Sequence, residues 1–235
     1  MSKITWFGTD WDNTVQSVVP GHERHLRKAI LEVAAGDKYG MTGDKLEKLR
    51  SYRRHPGEGE TEYAARIQRQ SDLYVKISQE AQVVTAKRHL KEGARERVVG
   101  TLERLAEDYK LAVVTNSKWT YLEPASKAVG IPLSLFNVIV AGGDVIETKR
   151  GGAQFIHRDV AGLKPTIQPF KWLIEYTANP PSQHAYAGDS EVMDIIPANS
   201  AGMRTIKVGG RKSKRADANV ARFVDIPPAI RRLGR

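Results

Sequence analysis

Cysteine is missing from all 235 residues, which excludes disulfide bonds, thiolate-held metals and a cysteine nucleophile. Any metal must be held by oxygen or histidine. Long apolar runs are missing too. None approaches the ~20 residues a helix needs to cross a bilayer, and the N-terminus lacks the basic and apolar segments of a signal peptide. A soluble cytoplasmic protein without membrane insertion is the expectation. Internal repeats and low-complexity tracts are absent as well, and the length suits one α/β domain with an insertion or two modest domains. The formal charge of +10 is concentrated at one end: between Arg204 and Arg235 ten basic residues face only Asp217 and Asp225. The run Arg211-Lys212-Ser213-Lys214-Arg215 after Gly209-Gly210 reads as an exposed, solvated loop rather than a docking patch for RNA, DNA or anionic lipid.

What is present is organised around Ile4-Thr5-Trp6-Phe7-Gly8-Thr9-Asp10-Trp11-Asp12-Asn13-Thr14. Here a mostly apolar run, suited to a buried parallel strand, ends in two carboxylates one residue apart. Ligands of open α/β sheets gather beyond the carboxyl ends of the strands, so Asp10 and Asp12 belong at such a mouth. Two adjacent acids repel unless a cation or a shared proton relieves them, which points to a metal site, to split acid and base roles, or to both. Taken alone, an Asp-x-Asp pair fits a turn or a helix cap equally well.

Three later stretches add weight. Leu111 to Val114 is a second apolar strand, ending in Thr115-Asn116-Ser117. Gly162-Leu163-Lys164-Pro165 places a lysine ahead of a helical pattern, and His184-Ala185-Tyr186-Ala187-Gly188-Asp189-Ser190 is a third strand ending in an acid, with Asp194 shortly after. From about Leu90 onward strands and helices alternate: strands at 111–115, 136–140, 185–187, 204–208 and 222–226, helices at 121–129, 168–177 and 195–201, and a short helix after Pro228. This alternation predicts a parallel sheet covered by helices on both faces. Residues 15 to about 90 differ, with helical periodicity at 25–35, 44–49 and 61–82.

In that order the four stretches resemble the motif set of the haloacid dehalogenase-like (HAD) superfamily, in a layout similar to phosphoglycolate phosphatases. The resemblance implies a Rossmann-like α/β core, residues 1–14 and 91–235, with an all-helical cap inserted at 15–90. It implies a Mg²⁺-dependent phosphatase acting on a small phosphorylated metabolite. Asp10 would attack phosphorus to give an aspartyl-phosphate, and Asp12 would protonate the leaving group and then activate water. Thr115, the backbone around Asn116, and Lys164 would bind the phosphoryl group. Asp10, Asp12 and Asp189 would hold the metal, with Asp194 acting on a metal-bound water or orienting Lys164. In the cap, Arg53 and Arg54 read as a solvated helix end or, alternatively, as a grip on a second anionic group of the substrate.

Other functions share parts of this pattern: a nucleotidase or nucleic-acid end phosphatase, a sugar phosphomutase, or a non-catalytic HAD-like protein that binds through its basic C-terminal region. The sequence also departs from the family's pattern. Thr9 replaces a bulky apolar residue, Pro197 replaces a small one, and the stretch from Asp144 to Lys164 is long. That stretch reads either as a hairpin at about Val145 to Ile156 or as an approach to the site carrying His157, Arg158 and Asp159. His157-Arg158-Asp159 lacks the partner motifs of a kinase loop, and His22-Glu23-Arg24-His25 lacks zinc-protease spacing.

Overall fold

The computed structural model describes residues 3–11, 14–15, 22–49, 60–89, 92–149, 152–158 and 161–234. The chain divides into two compact units, residues 19–89 and residues 1–18 with 90–235. Among the described residues, no helix is long and apolar enough to cross a membrane.

The smaller unit is helical: α1 His22–Ala35, α2 Gly43–Leu49 and α3 Glu60–His89. Its apolar positions recur at helical spacing, so each helix buries one stripe. Ala34, Leu46 and Ile77 form the centre, with Ile30, Val33, Leu73 and Tyr74 packed around it. Tyr39 packs against this core and donates its hydroxyl proton to Glu80 at 2.8 Å, and Lys38 pairs with the same carboxylate. The third helix runs 30 residues, past the expected end near 82, because no proline or glycine interrupts it before Gly93.

The larger unit carries one sheet. Its strands are β1 Trp6–Thr9, β2 Lys110–Thr115, β3 Val138–Ala141, β4 Asp144–Lys149, β5 Gly152–His157, β6 His184–Gly188, β7 Arg204–Val208 and β8 Ala218–Val220. They lie in the order β5-β4-β3-β2-β1-β6-β7-β8. Six are mutually parallel, from β3 through β8, and the β4–β5 hairpin adds antiparallel strands at one edge. This is the expected α/β, Rossmann-like sheet. Side chains alternate across it. Trp6, Ala112, Val114 and Tyr186 face the helix α6 Gln168–Thr177, through Phe170 and Leu173, and Ala198 of the short helix α7 Ile196–Ser200. Phe7, Leu111 and Val113 are buried on the opposite face, where α4 Glu92–Asp108 packs on β2 and α8 Ile226–Leu233 packs on β7. The remaining helix, α5 Trp119–Val129, follows β2.

Between Asp144 and Lys164 the chain takes the hairpin form. Ala141 pairs with Asp144 across Gly142-Gly143, whose φ values of 57° and 93° are open to glycine at little cost. His157 turns against Trp172 of α6, ring centroids 5.5 Å apart, and Arg158 lies over Phe155. Asp159 falls outside the described residues.

One expected strand is corrected. Residues 222–226 do not extend: the last strand ends at Val220, and Phe223–Asp225 form a 3-10 turn. The Asp225 carboxylate accepts from the Arg222 backbone N–H at 3.1 Å, while the Asp225 N–H donates to the Arg222 carbonyl at 3.0 Å, closing the turn locally. The final helix then starts at Ile226, before Pro228, because prolines are tolerated in a first turn whose N–H groups need no intrahelical partner.

His184 begins β6 as a buried, neutral ring. Nδ1–H donates to the Pro180 carbonyl at 3.0 Å, and Nε2 lies 2.8 Å from the Thr177 hydroxyl oxygen. Burial lowers its pKa below the ordinary 6.5, outweighing the two carbonyls at Pro180 and Pro181 that favour the cation. The folded state therefore favours the neutral ring. Its contribution is present above the unfolded pKa and is lost as pH falls through the depressed folded value. In urea unfolding, His184→Ala is expected to lose about 1–3 kcal/mol at pH 7.5 and to show a shallower fall in stability between pH 6.5 and 5 than the wild type.

Candidate active site

Parallel strands in register deliver their last residues to one edge of the sheet. β2, β1 and β6 are neighbours, with Thr9 opposite both Val113 and Ala187. Asp10, Thr115 and Asp189 consequently leave the sheet on the same side, and the Asp10 N–H donates to the Ala187 carbonyl at 2.9 Å. Lys164 arrives from the loop before α6. Together with Asn116, Ser117, Ser190, Met193 and Asp194 these residues line a cleft of about 260 Å³.

Lys164 is only 5% exposed, and its ammonium lies 2.8 Å from Asp10 Oδ1 and 2.6 Å from Asp194 Oδ1. Burial opposes its charge, but the fields of Asp10 and then Asp194 more than offset this, so its pKa lies above the ordinary lysine value. The lysine is held at both ends. Its backbone N–H donates to Asn116 Oδ1 and its carbonyl accepts from Asn116 Nδ2, both at 2.8 Å. The amide of Asn116 therefore fixes the lysine's main chain.

Asp194 is fully buried, and both its oxygens are engaged: Oδ1 by Lys164, Oδ2 by the Ser190 N–H at 2.9 Å. The chain reaches it through an irregular wide turn at Glu191–Ile195, opened by Ser190 Oγ accepting from the Met193 N–H. Gly188 makes the approach possible, because a Cβ there would overlap Asp194 Cβ and Cγ. Beneath the lysine, Tyr186 donates to the Val114 carbonyl at 2.9 Å and accepts from Lys164 Nζ at 3.4 Å. Burial, followed by the charges of Asp194 and Asp10, pushes its phenol well above the ordinary range.

Asp189 is half-buried, and its pKa is raised by burial and then by Asp194, partly countered by Lys207 and Lys164. One oxygen each from Asp10, Asp189 and Asp194 lie within 4.8 Å of one another. Three carboxylates compensated by one close ammonium leave net negative charge in a sheltered cleft. An all-oxygen donor set of this kind fits a hard divalent cation such as Mg²⁺. Thr115 is nearly buried, and its Oγ1 accepts from the Ser117 N–H at 3.1 Å, which orients the hydroxyl with its own proton still to donate.

Of the residues expected from sequence, Asp10, Thr115, Asn116, Lys164, Asp189 and Asp194 line one cleft. Asp12, Arg53 and Arg54 lie outside the described residues. The structure adds Tyr186, Ser190 and Gly188, to which the sequence pattern alone assigns no role. For Tyr186 a signal existed: a phenol at an inward position of a parallel strand needs a polar partner.

No family model matches this sequence, and no curated protein matches it. Solved structures do. A 2-haloacid dehalogenase from Pseudomonas syringae is similar at a TM-score of 0.63 with 16% identity, covering 97% of this chain and 99% of that one. A HAD phosphatase from Thermococcus onnurineus is similar at 0.59 with 20% identity, covering 97% and 98%. The HAD-hydrolase YfnB from Bacillus subtilis, bound to magnesium, is similar at 0.58 with 14% identity, covering 98% and 100%. The chain has the haloacid dehalogenase-like fold along nearly its whole length.

Removing Lys164 would leave two buried carboxylates facing each other. Lys164→Met is expected to cost about 3–5 kcal/mol at pH 7.5, read by urea unfolding. Much of that loss should return in Lys164→Met/Asp194→Asn, where one of the stranded charges is gone.

Proposed function

We propose that this protein is a Mg²⁺-dependent phosphatase that hydrolyses a small phosphate monoester through an aspartyl-phosphate on Asp10. The observation that carries the reading is the Lys164 ammonium bridging Asp10 and Asp194. The ammonium faces the Asp10 carboxylate and fixes it in a cleft that also presents Thr115 and Asp189. The HAD-like fold supports it. In this reading Asp10 attacks phosphorus, the P–O bond to the alcohol breaks, and the leaving oxygen takes a proton from Asp12. Water activated by Asp12 then attacks phosphorus again, releasing phosphate and restoring the Asp10 carboxylate.

Lys164, the Thr115 hydroxyl and the Asn116 backbone N–H donate to the oxygens of the transferring group, where negative charge must be held in place. Asp194 is a positioning residue: its charge holds Lys164 and adds to the acidic field. Asp10, Asp189 and the Asp12 carbonyl would hold Mg²⁺, which supplies positive charge against the phosphate. Residues 15–90 serve as a cap that selects the substrate, with Arg53 and Arg54 as candidate contacts, and the cytoplasm is the proposed setting.

The test is a panel of monoesters with the purified chain, with and without Mg²⁺. Free phosphate should appear only with the divalent cation and be abolished by a chelator. Asp10→Asn should lower the rate by about a thousandfold or more, and Thr115→Val by about a hundredfold. Full activity in Asp10→Asn would refute the mechanism. Conversion of a sugar 1-phosphate to a 6-phosphate without phosphate release would make the protein a mutase.

A further inference from the structure

A second cleft, of about 730 Å³, adjoins the Asp10 cleft and shares Asp189 and Ser190 with it. Its volume falls within the range of small-molecule sites, about 300–1,000 Å³. Its lining is cationic. Arg211, Lys212, Lys214 and Arg215 contribute exposed side chains, and Lys207 contributes a buried one, 6% exposed. The only carboxylates in the lining are Asp189 and Glu191, and Glu191 lies 3.9 Å from Arg215.

Lys207 is the informative member. A buried ammonium is ordinarily paired with a carboxylate or otherwise fully bonded. This one donates to the Val208 and Gly209 carbonyls at 2.9 Å each, and among the described residues no carboxylate stands within ion-pair distance of it. Its third N–H and its charge are available to an anion in the cleft it lines.

The basic loop above it is built rather than loosely solvated. Gly209 and Gly210, at φ 62° and 55°, turn the chain out of β7. Ser213 is then buried and locked to Asn219: its N–H donates to Asn219 Oδ1 at 2.8 Å, and its carbonyl accepts from Asn219 Nδ2 at 3.0 Å. The Arg215 N–H donates to Ser213 Oγ at 3.0 Å and the Arg215 carbonyl accepts from Asn199 at 2.6 Å. Four exposed cations are thereby held on a pinned backbone beside one buried cation, which lowers the ordering cost of gripping a multiply charged anion.

We propose that this cleft binds a second phosphate of the substrate, so that preferred substrates are phosphate monoesters whose leaving portion carries another phosphate. This rests on the phosphatase reading and names its substrate class. The second phosphate can belong to a small bisphosphorylated molecule or be the internucleotide phosphate next to the phosphorylated end of an oligonucleotide, and the same chemistry serves both.

The experiment compares wild type with Lys212→Glu/Lys214→Glu, two exposed positions whose change leaves the core untouched. Substrates are adenosine 5′-monophosphate, adenosine 3′,5′-bisphosphate and a 5′-phosphorylated hexanucleotide, at two salt concentrations. The double variant should lower the ratio of kcat/KM for the bisphosphate over the monophosphate by tenfold or more. A larger loss, with a steeper salt dependence, on the hexanucleotide would assign the phosphate to a nucleic-acid end. An unmoved ratio on both substrates overturns the proposal. A binding arm separates this from failure of the phosphatase reading: Asp10→Asn titrated with adenosine 3′,5′-bisphosphate, with and without the two charge reversals. Affinity falling tenfold or more on reversal supports the subsite even without hydrolysis, and equal affinities refute it.

Discussion

One ammonium between two carboxylates, all three nearly removed from water, is the interaction around which the site is arranged. Each of these ions gives up several kcal/mol of hydration, so the group is tolerable only where geometry is tight and remaining hydrogen-bonding capacity is met. The structure meets it at several points. Asn116 grips the lysine's backbone, Ser190 donates to Asp194, and Tyr186 stands beneath the ammonium, bonded in turn to Val114. Disturbing any member exposes another to an unpaired charge, which is why the position of Asp10 is strongly determined.

That network is possible because of the sheet. Three adjacent parallel strands end at the same level, so residues more than 170 positions apart in sequence meet without a long loop between them. The finer placement depends on a missing atom. Gly188 has no Cβ, and the space is occupied by Asp194, which returns over the strand end through the wide turn. A larger residue at 188 would displace the partner of Lys164, so a packing constraint at a strand end becomes an electrostatic one at the site.

The core was legible in the sequence where apolar strands stop abruptly at polar residues. Asp10, Thr115 and Asp189 stand at such strand ends, whereas Lys164, ahead of α6, joins them only through the resemblance to the family's ordered motifs. The sequence leaves a hairpin at about 145–156 as one of two readings, because pairing of edge strands depends on a neighbour, β3, that no local pattern names. The strand expected at 222–226 failed for a local reason: Val and Ile there carry β-propensity, but a side chain three residues on closes a turn first. The tasks of Tyr186, Ser190 and Gly188 lay beyond sequence reading, because each depends on what another element brings to it. By its pattern the basic run near the C-terminus is plain solvated charge. Its pinned backbone and its neighbour Lys207 come from contacts between Ser213, Asn219 and Asn199 that no spacing rule predicts.

The two adjoining clefts have opposite signs, and this constrains the order of events. A phosphate dianion brought to Asp10 meets three carboxylates against one close ammonium, an unfavourable balance at short range and low dielectric. In the proposed reaction a hard divalent cation would reverse that balance, so cation and phosphate would favour each other's binding, equally in both directions by linkage. The neighbouring cleft needs no such help, since its cations outnumber its acids. A substrate with charge at both ends would first be held where the protein alone is positive. Its other end would settle at Asp10 only when the acids there are neutralised. The wall shared through Asp189 and Ser190 is where these two requirements would meet, because Asp189 lies in the fields of both Lys207 and Lys164.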